Sequence, residues 1–146
     1  MVRWCASSRA AAERCISIKA AAVKAAIVPP SLVAPKVGGA TLSDGSHLPA
    51  DGQLAGTPSV LFDAVAIVLD PAAGKQLAKE STAVDFAAFA WAHLKAIAAD
   101  AGAAPLLKAA NVGKDAGVVE AAAVKDFIAA ARTRQWAREP KLRTLA

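Results

Sequence analysis

Apolar and polar positions follow two different periods along this chain. Val60 to Leu69, VLFDAVAIVL, is interrupted only by Asp63, and its second half, AVAIVL, shows no polar alternation. An unbroken apolar run of that length is what a strand buried on both faces requires, and such burial points to a parallel sheet covered by helices. Phe86, Phe89, Ala90, His93, Leu94 and Ile97 recur instead at spacings of three and four, the period of one helix face against a core. Thr82-Ala-Val-Asp85 ahead of them has the form of a capping box, with Asp where Glu or Gln is usual.

The remaining segments extend the same alternation. Residues 9–26 are alanine-rich with few breakers and predict a helix that stops before Pro29-Pro30, because a residue preceding proline is pushed out of the helical region. Ser31 to Pro35 predicts a short strand, followed by a turn at Gly38-Gly39. Between 40 and 58 lie Asp44-Gly45, Asp51-Gly52, Pro49, Gly56 and Pro58, which is turn chemistry with Ser46-His47-Leu48 as one arm of a small hairpin. Asp70-Pro71 closes the buried strand, and Pro71 or the alanines after it open a helix. A strand at Lys95–Ala99, a turn at Asp100-Ala101-Gly102 and a helix over Ala103–Ala110, ended by Asn111 and Gly113, come next. Gly117–Glu120 predicts a last strand, and Val124, Phe127, Ile128 and Ala131 mark the face of a final helix. Short apolar strands alternating with alanine-rich helices are the α/β signature. The terminal QWAREPKLRTLA has too little apolar periodicity for an element of its own, so Trp136 is expected to find burial against another domain or subunit.

Composition narrows this picture. At 146 residues the chain holds one domain with a core. Hydrophobic residues are 55% of it but aromatics only 5%, so the core is largely alanine, which buries little area per residue. The net charge of +5 is uneven: residues 1–43 carry six Lys/Arg against Glu13, 44–124 five against nine Asp/Glu, and 125–146 six against two. Basic ends attract nucleic acid or acidic surfaces, but no aromatics interleave a basic stripe, and solvated surface without nucleic-acid binding is the expectation. No apolar run approaches the roughly eighteen residues of a membrane span. Cys5 and Cys15 form neither a C-x-x-C nor a zinc spacing and are expected as reduced thiols in a cytoplasmic protein. The first thirty residues imitate an organellar transit peptide, being Arg-, Ser- and Ala-rich, although a first helix after a ragged start accounts for them as well.

Candidate chemistry is sparse. A nucleophile in an open α/β fold sits on a strained strand-to-helix elbow, and the one good elbow, Ala98 to Ala103, contains neither Ser nor Cys. Asp100 there is a nucleophile or base candidate, or a cap for the next helix. His47 falls among turns, and His93 sits on or beside an apolar helix face, where a structural histidine is the simpler reading. Two histidines and scattered carboxylates give no metal-ligand spacing, and neither G-x-G-x-x-G nor G-x-x-x-x-G-K-[ST] occurs.

LPADGQLAGTPSVLFDAVAIVLD, AFAWAHLKAIAADAGAAPLLKAA, GVVE and FIAAARTRQWAREPK, in this order, resemble the C-terminal domain of large-subunit haem catalases from about residue 18 onward. The resemblance implies a three-layer, flavodoxin-like α/β sandwich with a mostly parallel sheet, of the class I glutamine amidotransferase-like superfamily, which also holds cysteine peptidases and chaperone-like proteins. It divides the chain into an irregular or degenerate N-terminus (1–17), the α/β domain (18–135) and a basic tail (136–146). VRWCASSRAAAERC does not read like the family's apolar opening strand, so the sheet is expected to be incomplete there, with its first strand missing or reduced to Val2–Ala6. The haem-bearing domain is not in this chain, and with no tyrosine the chain cannot supply a tyrosinate axial ligand. No cofactor and no catalase activity are therefore expected of it alone. The superfamily's nucleophilic cysteine would fall near Ala101, leaving Asp100 and His93 as site candidates. The implied role is a non-catalytic packing module, a detached or truncated catalase C-terminal domain linked to hydrogen peroxide removal through its parent family. Its partner would be a catalase core, or another copy through the Trp136 tail. A stand-alone chaperone-like or protein-interaction module and a small hydrolase using Asp100 with His93 are the alternatives.

Overall fold

The computed structural model describes residues 2–5, 13, 15, 17, 18, 20, 21, 31–41 and 45–143. The chain opens with strand β1 (Val2–Cys5), and residues 13, 15, 17, 18, 20 and 21 are helical and form α1. Strands β2 (Ser31–Ala34), β3 (Ala40–Thr41), β4 (His47–Leu48) and β5 (Gly52–Gln53) follow, then β6 (Ala64–Val68). Helices α2 (Pro71–Leu77) and α3 (Ser81–Ala92) lead to β7 (Ala96–Ala99), α4 (Ala104–Ala109), β8 (Val118–Glu120), α5 (Val124–Ala131) and α6 (Glu139–Arg143).

Six strands form one parallel sheet in the order β5-β2-β1-β6-β7-β8, and β3 and β4 make a separate antiparallel hairpin. Apart from edge strand β5, this is the flavodoxin order, which reverses direction at β1. The opening strand, expected to be missing or reduced to Val2–Ala6, is present in the reduced form as Val2–Cys5. Val2 pairs with Ser31 on one side and Val65 on the other, so β1 is bracketed along both edges. Its ladder is made by backbone groups, which is why Arg3 and Cys5 in an atypical sequence do not prevent it. The expected helix over 9–26 is seen in the described residues between 13 and 21, and its other positions lie outside them.

Alternation along the strands sorts the core into two faces. Val33, Val65, Ile67, Ile97 and Ala99 meet Leu77 of α2, Phe86 and Ala90 of α3 and Leu106 of α4. Leu32, Ala64, Ala66, Val68, Ala96 and Ala98 meet Cys15 and Ile18 of α1 and Phe127 of α5. The strand positions of the second face are mostly alanine. All five residues of β6 are buried, as a strand covered on both faces requires.

Several expectations change in detail. The apolar run beginning at Val60 does not extend as one strand, because Ser59–Leu61 wind into a 3-10 turn and β6 starts only at Ala64. Thr82 lies inside α3 and is not its cap: Glu80 occupies the cap position without a side-chain bond, and its carbonyl takes the N–H groups of Ala83 and Val84. Leu94 leaves the helix at φ +59°, a left-handed residue that turns the chain from α3 into β7. In the tail, residues 136–143 form a 3-10 turn (Trp136–Arg138) and α6, and a buried arginine anchors them where apolar periodicity gave no sign. Cys15, expected as a reduced thiol, is disulfide-bonded. Its position on a helix that packs back over the sheet permits a bond that no local cysteine motif announces.

Candidate functional site

The carboxyl ends of the strands are where open α/β sheets bind ligands. Here Asp100 ends β7 and accepts from the N–H groups of Ala103, at 3.2 Å, and Leu69, at 3.1 Å. One carboxylate therefore caps the turn Ala101–Ala103 and ties it to the end of β6. Asp70 does the same for α2, accepting from the Ala73 N–H at 2.8 Å. Gly102 and Gly74 let these two turns approach: a Cβ on Gly102 would stand 2.0 Å from the Leu69 carbonyl oxygen, and one on Gly74 1.9 Å from that of Gly102.

A crevice of about 880 Å³ opens beside this elbow, between α4 and the edge strand β8. Among the described residues its polar groups are Asp70, Asp100, Lys114, Asp115 and Glu120, and none of those lining it is Ser, Thr, Cys or His. Ala101 sits exposed at the elbow, at the position expected for a superfamily nucleophile. The structure does not bring Asp100 and His93 together. His93 ends α3 before β7 begins, whereas Asp100 follows β7, so the four-residue strand, about 13 Å long, separates them. His93 is exposed, and its Nδ1 donates to the Phe89 carbonyl at 2.8 Å. His47 lies exposed on the β3–β4 hairpin and is not among the residues lining the crevice. Among the described residues no group of three His, Cys, Asp or Glu side chains could hold a metal ion, and no helix is long and apolar enough to cross a membrane.

The opposite end of the sheet carries most of the buried charge, and the residue pattern gave no warning of it. Lys95, buried at the start of β7, donates from Nζ to the carbonyls of Ser59 (2.7 Å), Val60 (2.8 Å) and Phe62. Those three acceptors match the three N–H bonds of an ammonium group and fix the turn ahead of β6. Burial, then the charge of Arg134, lowers the Lys95 pKa to about 8, with Asp63 pulling the other way.

Arg138 is buried 43 residues further on, with its guanidinium 3.9 Å from the centre of the Trp91 ring. Its Nε and Nη2 donate to the two Asp115 oxygens at 2.5 and 2.9 Å, and Nη1 donates to the Lys95 carbonyl at 2.6 Å. Burial alone would raise the Asp115 carboxyl, but Arg138 and the N–H groups of Gly117 and Val118 hold it below its ordinary value. Lys95, Arg138 and Trp91 share no periodic signature along the chain, and only the fold makes them neighbours.

No family model matches the chain. Catalase C of Rhizobium meliloti (strain 1021) is 40% identical over 114 residues, which cover 74% of this chain and 16% of that protein. The chain thus corresponds to a small part of that relative. Among solved structures, a DJ-1 superfamily protein from Salmonella typhimurium, determined as a cysteine-to-alanine mutant, superposes with a TM-score of 0.70 at 17% identity, covering 99% of this chain and 96% of that one. A ThiJ/PfpI domain protein from Brachyspira murdochii gives 0.66 at 14% identity, covering 89% and 92%. These likenesses establish the flavodoxin-type α/β sandwich.

Proposed function

We propose, from the premise that this chain is related to the C-terminal domain of catalase C, that it serves a peroxide-removing catalase as a non-catalytic packing and stabilising module. The observation that carries this reading is the elbow: Ala101 stands where a nucleophile would, Asp100 is engaged in capping, and the described residues that line the crevice offer no thiol, hydroxyl or imidazole. A stable scaffold with an unarmed elbow suits a domain whose parent chemistry is performed elsewhere. The test is to titrate the purified chain with haem and add peroxide. The expected result is no protein-induced Soret band and no oxygen release above that of free haem. A haem complex with rapid oxygen release would overturn the proposal.

A second reading, a protein-interaction or chaperone-like module, is favoured by a different feature. Leu61 and Trp136 are large apolar side chains left exposed at one end of the sheet. Protection of a heat-labile client from aggregation, lost on replacing both residues by serine, would support it. No protection at a molar excess would count against it.

A further inference from the structure

Helix α5 carries more apolar surface than the core uses. Phe127 enters the alanine-rich face of the sheet, and Val124, Ala130 and Ala131 pack at its border. Ile128 lies instead, with Ala129, on a groove of about 660 Å³ that α5 shares with Ala21 of α1. Concavities of this size with a mainly apolar lining and a few polar groups are the kind that hold small organic ligands. The charges around the groove narrow the choice. Two charged side chains line it among the described residues, Lys125 and Arg132, both cations, two turns or about 10 Å apart along the helix. Neither is ion-paired among the described residues, whereas the neighbouring Arg134 is engaged with Asp63 at 3.4 Å. Asp126 follows Lys125 in the chain but is not among the residues lining the groove. On the α1 side, Glu13 is the only acidic residue in 1–43, and it precedes Ala21 by about 12 Å of helix, so α1 adds no carboxylate there.

Unpaired cations beside an aliphatic groove select a molecule with an apolar chain and an anionic end. Arg132 and Thr133 offer a guanidinium fork and a hydroxyl at one end of the groove, and these match the oxygens of a carboxylate or a phosphate. The carbonyls of a helix C-terminus would oppose an anion, but here they are engaged. Those of Ala129 and Ala130 accept from the N–H groups of Arg132 and Thr133 at 3.3 and 3.4 Å, and Gln135 Nε2 donates to the carbonyls of Ala130 and Thr133 at 3.1 and 3.3 Å. We propose that the groove between α1 and α5 binds a single-chain anionic amphiphile, its alkyl chain along Ala129, Ile128 and Val124 and its head held by Arg132 and Thr133, with Lys125 attracting the same charge from further along α5. An acidic amphipathic helix would meet the same cations, but the groove spans only about 13 Å of α5 and would cover little of it, whereas an alkyl chain of that length is covered throughout. This proposal does not depend on the catalase reading.

The test is to titrate the nitrogen-15-labelled full chain with decanoate, below its micelle concentration, and to follow the backbone amide shifts. The expected result is saturable binding with shifts centred on 124–133 and around Ala21. Decyl phosphate is expected to bind at the same place. Decylammonium, which keeps the chain and reverses the charge, and acetate, which keeps the charge without the chain, are expected not to saturate at the same concentrations. Arg132→Glu should raise the dissociation constant about tenfold or more, and Lys125→Glu should raise it less. Ala129→Trp, a change at an exposed position that fills the groove, should block binding. Circular dichroism and melting temperature report whether each variant is folded. Decylammonium binding as tightly as decanoate, indifference to Arg132→Glu, a larger effect from Lys125→Glu, shifts at another surface, or no saturation would each overturn the proposal. So would an acidic helical peptide that binds this groove while decanoate leaves it unchanged.

Discussion

The Arg138 guanidinium lies over the face of Trp91, 3.9 Å from its centroid, while its nitrogens reach both oxygens of Asp115 and the carbonyl of Lys95. One side chain thereby joins the segment after α5 to α3, to the loop ahead of β8 and to the start of β7.

Removing that group should be costly. Arg138→Ala leaves the Asp115 carboxylate half-buried without its cation, and breaking a buried pair from one side costs about 3–5 kcal/mol. Arg138→Lys should recover little, since an ammonium neither forks onto a carboxylate nor stacks on a ring as a guanidinium does. Urea unfolding is expected to show a lower midpoint with an unchanged slope in both variants.

Asp115 gives the same cluster an acid limit. Its folded pKa is held below the unfolded value, so the folded chain releases its proton more readily. The stabilisation is complete above the ordinary carboxylate range and is lost as pH falls through the lowered folded value. Asp115→Asn should flatten the acid limb of the stability curve. An acid limb identical to that of the unaltered chain would remove Asp115 from this account.

Lys95 predicts a dependence of the same sign at high pH. Its pKa drops from 10.5 to about 8 on folding, so between those values the unfolded chain binds more protons than the folded one. Stability contributed by this group should therefore rise with pH across that window. Lys95→Met should lose that rise. Urea midpoints at the two ends of the window, compared between the two proteins, measure it, and the absence of tyrosine leaves fewer groups titrating there.

What the residue pattern revealed and what it hid divide along physical lines. β6, β7, α4 and α5 were legible because burial imposes a period on Val65, Ile67, Ile97, Leu106 and Phe127, and Asp70-Pro71 marked a helix start by local chemistry. The elbow was legible for the same reason, and Asp100 proved to be the cap that its position suggested. β1 was legible only as a reduced strand at Val2–Ala6, because a short strand paired on both edges is specified by its neighbours. The Lys95 and Arg138 sites were hidden because their partners, the Ser59 and Val60 carbonyls and Asp115, lie 36, 35 and 23 residues away. No window of sequence contains such a site whole.

The contact between the α2 turn and the elbow should tolerate no added methyl group. Gly102→Ala and Gly74→Ala would each drive a Cβ into a backbone carbonyl, which cannot rotate aside, and each is expected to destabilise by about 1–3 kcal/mol or more. Gly56→Ala, where a Cβ meets nothing within 4 Å, serves as the neutral control. Equal melting temperatures for all three would show that the two turns are further apart than described.

Asp100 separates a structural elbow from a catalytic one. Asp100→Ala removes the acceptor for two backbone N–H groups, those of Leu69 and Ala103, and should cost about 1–3 kcal/mol. Asp100→Asn keeps a carbonyl oxygen in the same place and should recover a good part of that loss. A general base or nucleophile would behave differently, because an amide can do neither job. If ester hydrolysis by the chain were found, and Asp100→Asn abolished it while leaving stability near that of the unaltered protein, the carboxylate would have a chemical role. With His93 at the far end of β7 and exposed to solvent, the expected outcome is that stability follows Asp100 and hydrolysis does not.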